Sequence, residues 1–169
     1  DQSARITERL RSDTLDLILL AFPYDTPGMS QTLLFEEPFY IACHKDTWQG
    51  ANPAVMKDLE DLDMLLLEEG HCLRDHALAA CHFRARAGRE TFKATSLPTL
   101  IQFVQHGYGI TLLPEMAVTD GNLPQNIDII PFAAPRPTRK IGMAWRKNHP
   151  REKEFKMLAE AVKKRSTPP

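Results

Sequence analysis

The strongest constraint in this sequence is the alternation of strand-length apolar runs with stretches of helical period. Leu15-Asp16-Leu17-Ile18-Leu19-Leu20-Ala21-Phe22 is a near-continuous apolar run, the pattern of a strand covered on both faces of a parallel sheet. Met64 to Leu67, Ile110 to Leu113, Ile127 to Pro131 and Ile141 to Arg146 repeat the theme in shorter form. Between them lie helical patterns. Ile6 and Leu10 are four apart within Ala4 to Ser12. Leu97, Leu100, Ile101 and Val104 fall at spacings of three and four behind Ser96, in a helix expected to end near Gln105 or His106. Cys72 to Ala87 reads as a helix stopped at Gly88. Pro114 to Val118 reads as a helical turn, and Arg151 to Lys164 as a terminal helix with Phe155, Leu158 and Val162 inward. Thr32 to Phe35 and Phe39 to Cys43 read as two strands, with Pro38 at an edge or a crossover because proline donates nothing to a ladder. Strands alternating with helices imply an α/β fold with a mainly parallel sheet.

A chain of 169 residues suggests one domain or two small lobes. The formal net charge is -1, so no basic footprint points to nucleic acid. A DNA-binding part, if the protein has one, is expected outside this chain. No apolar run reaches the roughly 18 residues of a membrane span, and no basic-then-apolar leader opens the sequence. The expected location is therefore the cytoplasm. The start at Asp1-Gln2-Ser3, already at the head of a helix, reads as a cut within a longer protein.

Three cysteines, Cys43, Cys72 and Cys81, are too few and too odd for a secreted disulfide framework. They lack C-x-x-C spacing, so no metal is expected, although His71, His76 and His82 nearby keep a metal site open as an alternative. Cys72 follows a glycine turn and opens a helix. The positive end of a helix dipole, with His71 and Arg74 adjacent in sequence, favours the reactive thiolate. Attack on peroxide by Cys72 gives a sulfenic acid, and Cys81 is the available second thiol. On an intact helix nine residues rise about 13.5 Å, whereas a disulfide needs Cα atoms within about 7 Å. A bond between the two requires the helix to unwind, which suits a switch better than a structural staple. The competing reading is that these cysteines are inert packing residues, as most intracellular ones are. Cys43, at the end of an apolar strand, reads as packing.

Other polar residues carry paired readings. Thr95 and Ser96 either cap the following helix or face a cleft. Gly107 and Gly109 serve a tight turn or approach a ligand; a G-x-G this short says little about phosphate. His106 is placed to satisfy the last carbonyls of its helix. His76 and His82 read as surface residues, and Trp48 and Trp145 as packing or partly exposed aromatics.

Glu69-Gly70-His71-Cys72-Leu73-Arg74-Asp75, the second cysteine nine residues on, and Ala94-Thr95-Ser96-Leu97-Pro98-Thr99-Leu100 closely resemble the hydrogen-peroxide-sensing members of the LysR-type transcription activators. Gly107-Tyr108-Gly109-Ile110-Thr111-Leu112-Leu113-Pro114 resembles the cleft motif of LysR-type effector domains. Leu33 to Pro38 and Arg139 to Gly142 resemble the two crossovers between lobes. The resemblance covers essentially the whole chain. It implies two Rossmann-like lobes of the periplasmic-binding-protein type. The first lobe would be residues 1–38 and 139–169, and incomplete because the family's lobe begins with an earlier strand, helix and strand. The second lobe would be residues 39–138, carrying the redox cysteines.

By the same resemblance, Cys72 is the peroxide-reactive thiol and Cys81 the resolving one. Arg74 supports the thiolate, Asp75 pairs with a neighbour in one state, and His71 belongs to the same motif. Ser3 aligns with a threonine that helps to hold peroxide and water, and Thr91 replaces a histidine found in some members. Thr95, Ser96, Gly107 and Gly109 are cleft candidates. The implied protein is a redox sensor rather than an enzyme, without a cofactor, working as a homodimer or homotetramer. It would reach DNA through an N-terminal domain outside this chain, contact RNA polymerase, respond to hydrogen peroxide and be reset by a dithiol reductant. The rivals are a LysR-type domain sensing a small ligand in the interlobe cleft, a thiol peroxidase, and a periplasmic binding protein.

Overall fold

A computed structural model describes residues 2–60, 62, 64–80 and 93–166. In chain order the elements are α1 (Ser3–Arg11), β1 (Leu17–Phe22), β2 (Met29–His44), a 3₁₀ turn (Met56–Leu59), β3 (Leu66–Leu67), α2 (Cys72–Ala80), β4 (Lys93–Ala94), α3 (Leu97–Gln105), β5 (Thr111–Pro114), α4 (Glu115–Thr119), β6 (Ile127–Pro131), β7 (Thr138–Arg146) and α5 (Glu152–Ser166). Cys81, His82, the rest of the helix expected to reach Ala87, its Gly88 stop, Thr91 and Phe92 lie outside the described residues. Among the described residues, no helix is long and apolar enough to cross a membrane.

The chain forms two compact units, Asp1–Glu36 with Arg139–Pro169, and Glu37–Thr138. β2 is one continuous strand through Pro38, not two. Proline's fixed φ is compatible with extended backbone, and its missing donor falls just before the ladder to β5 begins at Phe39. The boundary lies two residues before Phe39's expected start of the second lobe, since the buried Glu37 accepts the Met116 amide at 3.0 Å and so belongs with the second unit.

In the first unit, β1 pairs antiparallel with β7, from Leu17 opposite Trp145 to Phe22 opposite Lys140. One core gathers Leu10 of α1 with Ile18, Leu20, Met29 and Ala144. The other gathers Leu34, Met143 and Trp145 with Phe155 and Ala159 of α5. The expectation that β1 is a strand of a parallel sheet buried on both faces is corrected. It is antiparallel to its neighbour, and Leu19 is 58% exposed. α1 and α5 cover the residues on either side of Leu19 and leave it open. The turn from α1 to β1 is fixed by Arg146 of β7, which donates to the carbonyls of Leu10 and Leu15 and pairs with Asp13 and Asp16.

In the second unit the parallel expectation holds with one exception. β4 pairs parallel with β3, and β3 is joined to β5 by the parallel bridge between Met64 and Ile110. β2 runs antiparallel to both β5 and β6. Four strands therefore point one way and the long crossover strand β2 lies reversed among them. Strand alternation divides the core. Phe39, Ile41, Cys43, Met64, Leu66 and Leu112 face α2 through Ala77. Ala42, Leu65, Leu67 and Leu113 face α3 through Leu100 and Val104. α2 and α3 thus cover opposite faces.

α3 ends in a glycine cap. Gly107 at φ +76 lets its own amide reach the Val104 carbonyl at 3.0 Å and the Tyr108 amide reach Phe103 at 3.1 Å, while the two rings meet edge to face at 5.9 Å. Nothing would touch a Cβ at Gly107, so the strain of Gly107→Ala is backbone strain alone. We expect it to lower the unfolding free energy by about 1–2 kcal/mol, with Gly107→Asn milder, as read by urea denaturation. Arg146→Lys keeps a charge but cannot hold two carbonyls and two carboxylates at once. It should cost about 1–3 kcal/mol in the same measurement.

Candidate functional site

The informative geometry lies at the carboxyl edge of the β3–β4 pair. Parallel strands send their chains out of one edge, and helices that follow them begin there. β3 leaves at Leu67, turns through Gly70 (φ +91) and enters α2 at Cys72. β4 leaves at Ala94 and enters α3 behind Ser96. The Glu68 amide donates to the Ala94 carbonyl at 3.0 Å, so the two exits are tied side by side.

Cys72 is the first residue of α2 and is half-buried. The helix is anchored behind it by Ala77, which is buried, and by Leu73, which packs against the cores on both faces of the sheet. Its first-turn amides have no partners within the helix and present positive partial charge. His71 is half-buried in the turn, and its carbonyl accepts the Arg74 amide at 3.0 Å. The Arg74 guanidinium lies 3.9 Å from Glu69 and 3.6 Å from Asp75. Lys93 of β4 reaches the same Glu69 oxygen at 3.7 Å. Two cations and two anions thus surround the start of α2, so Arg74's charge is largely offset by carboxylates. The helix terminus remains as a source of positive potential that needs no counter-ion.

The other candidates are distributed. Thr95 is exposed and Ser96 half-buried at this same edge. Ser96 caps α3, accepting the Thr99 amide at 3.3 Å, with its hydroxyl 2.8 Å from that of Thr99. Gly107 and Gly109 (φ 152) sit between α3 and β5, at the amino edge of the sheet, so the fold separates them from Thr95, Ser96 and Cys72. His106 bonds back to the Gln102 carbonyl at 2.7 Å through Nδ1, the role read for it from sequence. Ser3 opens α1 in the first unit and is 3% exposed. Cys43 is fully buried on β2, and burial, with Asp128 nearby, pushes its thiol pKa up. No group of three or more His, Cys, Asp or Glu placed to hold a metal occurs among the described residues. Glu69 was read from the sequence only as part of a turn and of the cysteine motif, with no role of its own, and Lys93 was not singled out. The sole signal was opposite charge at the two ends of the cysteine segment.

Comparison with known proteins bears on this arrangement. The family model described as the LysR substrate binding domain matches residues 1–167. Among curated relatives, the chain is 38% identical over 164 residues to the HTH-type transcriptional regulator EstR of Acinetobacter baylyi, with 96% of this chain and 54% of that protein covered. It is 37% identical over 166 residues to the DNA-binding transcriptional dual regulator OxyR of Escherichia coli, covering 97% and 54%. The chain therefore spans about half the length of the curated relatives it matches. Among solved structures, it superposes on the reduced form of the OxyR2 regulatory domain from Vibrio vulnificus with a TM-score of 0.87 at 34% identity, covering 97% of this chain and 78% of that one. A cysteine-to-serine mutant of Corynebacterium glutamicum OxyR with hydrogen peroxide bound gives 0.84 at 28% identity, covering 97% and 53%. With the match running through both units and the helix-opening cysteine at a parallel sheet edge, this chain belongs to the LysR substrate-binding-domain family, and its relatives include OxyR regulatory domains.

Proposed function

We propose that this chain is the regulatory domain of a hydrogen-peroxide-responsive transcription activator, switched by a reversible disulfide between Cys72 and Cys81. The observation that carries the reading is Cys72 at the first position of α2, within a sequence motif that resembles the peroxide-sensing branch of the family. The thiolate of Cys72 attacks one oxygen of hydrogen peroxide. The O–O bond breaks, the leaving hydroxide takes a proton to become water, and Cys72 becomes a sulfenic acid. The Cys81 thiol then attacks that sulfur, forming the disulfide and releasing a second water. A cellular dithiol returns two electrons and resets the pair.

α2 makes this a conformational event. Helix through Ala80 puts that residue about 12 Å along the axis from Cys72, and one further peptide spans about 3.8 Å. A chain leaving Ala80 therefore starts no closer than about 8 Å to the Cys72 Cα, beyond the roughly 7 Å a disulfide tolerates. Bond formation requires α2 to unwind. Ser3 is assigned a peroxide or water contact, and His71, Arg74 and Asp75 the support of one state or the other. In the whole protein the refolded segment changes the contacts of a homodimer or homotetramer. A DNA-binding domain outside this chain and RNA polymerase would read that change in the cytoplasm.

A second reading has a specific observation behind it. A relative as similar as EstR bears a name without peroxide, and a cavity of about 330 Å³ in the second unit is lined by Leu97, Ile101, Gln102, Ala117 and Leu123. A domain of this family that senses a small ligand would gain thermal stability from it equally in wild type and Cys72→Ser.

Mass spectrometry after one equivalent of peroxide should find the Cys72–Cys81 linkage in wild type and none in Cys72→Ser. Absence of that linkage in wild type sinks the reading. Consumption of peroxide should stop near one equivalent without a reductant. Cys43 should stay silent. Its raised pKa keeps it protonated at neutral pH, so its alkylation should trail that of Cys72 and rise only as pH passes above the ordinary thiol range. Time-resolved alkylation from pH 6 to 10 checks this.

A further inference from the structure

We infer that Glu69 is a positioning residue for the redox step: it ties the first turn of α2 to β4 and so favours the reduced, helical form of that turn. This rests on the disulfide reading above and deepens it. One oxygen of the Glu69 carboxylate lies 3.9 Å from Arg74, in the first turn of α2, and 3.7 Å from Lys93, at the start of β4. Glu69 thus touches both arms of the segment that contains Cys72 and Cys81. Lys93 is fixed in place by the parallel pairing of Leu66 with Lys93 and of Leu67 with Ala94. Arg74 is not fixed in that way. Its position relative to Glu69 exists only while the first turn of α2 is formed, and its buried Nε has no hydrogen-bond partner among the described residues, leaving the outer guanidinium nitrogens to the carboxylates.

Unwinding α2 from its start carries Arg74 away from Glu69, while Lys93 keeps Glu69 at the sheet edge. The ion pair is therefore made in the reduced, helical form and lost in the disulfide form. Its effect is modest, because Glu69 is 74% and Lys93 53% exposed and solvent screens them. A contact present in one redox state only still shifts the equilibrium between the two.

The consequence separates this role from a simple charge effect on Cys72. Glu69→Gln leaves the start of α2 one charge more positive, which by charge alone favours the thiolate and the dithiol state. Lys93→Gln leaves it one charge less positive, which by charge alone favours the disulfide. As a tie, Glu69 loses its grip in both variants, and both move toward the disulfide.

The test is equilibration of the chain in mixtures of reduced and oxidised glutathione. Oxidised glutathione takes two electrons and two protons from the cysteine pair and becomes two reduced molecules, and the disulfide fraction is read by mass spectrometry. We expect Glu69→Gln and Lys93→Gln each to raise the equilibrium constant for the disulfide about two- to fivefold. In free energy the double variant should fall short of the sum of the two single effects, as for residues in one contact. A Glu69→Gln shift toward the dithiol, or no shift, overturns the tie while leaving the switch intact. A wild-type chain that forms no Cys72–Cys81 bond at any glutathione ratio overturns the switch and the tie with it.

Discussion

The parallel pairing of β3 with β4 is the constraint on which the site depends. Two short ladder pairs and the bond from the Glu68 amide to the Ala94 carbonyl hold both ends of the cysteine segment at one sheet edge. β3 is buried on both faces, by Leu66 toward one core and Leu65 and Leu67 toward the other. Both faces of this edge are packed, as for most parallel strands.

On that edge, the positive potential beside Cys72 comes from backbone more than from side-chain charge. Arg74 stands next to the cysteine in sequence, yet its guanidinium is shared between Glu69 and Asp75. The start of α2 carries the positive partial charge of the helix dipole, which needs no such counter-ion. Cys43 shows the opposite case. It sits near the end of β2 under both packing and a nearby aspartate, and both raise its pKa. Two cysteines of one chain are thus set apart by where the fold puts them, one at a helix start and one in a ladder.

β2 has a different task. It carries the chain across the boundary between the units as one extended strand, and it lies antiparallel among strands that otherwise run together in the second unit. Glu37, 1% exposed at the beginning of that passage, accepts the Met116 amide and so fixes α4 to the crossover strand. The strand reads as two in sequence because Pro38 interrupts the donor pattern. It stays one strand because the ladder at that point does not need a donor from residue 38.

The sequence by itself determined the α/β class, the helix opening at Cys72, the Ser96 cap, the His106 bond to its own helix and the family. Each follows from local period, from capping chemistry that acts within one turn, or from a motif of adjacent residues. Helix period also showed that two cysteines nine residues apart on an intact helix would lie beyond disulfide reach. Tertiary structure decided the rest. It reversed β2 within its sheet, left Leu19 open, and sent Gly107 and Gly109 to the edge opposite Thr95 and Ser96. It also brought Lys93 to Glu69. These depend on pairings between residues far apart in the chain, which no local pattern of hydrophobicity or charge specifies. The motif around Cys72 was legible because its residues are contiguous. The contact of Glu69 with Lys93 was not, because strand pairing alone makes residues 69 and 93 neighbours.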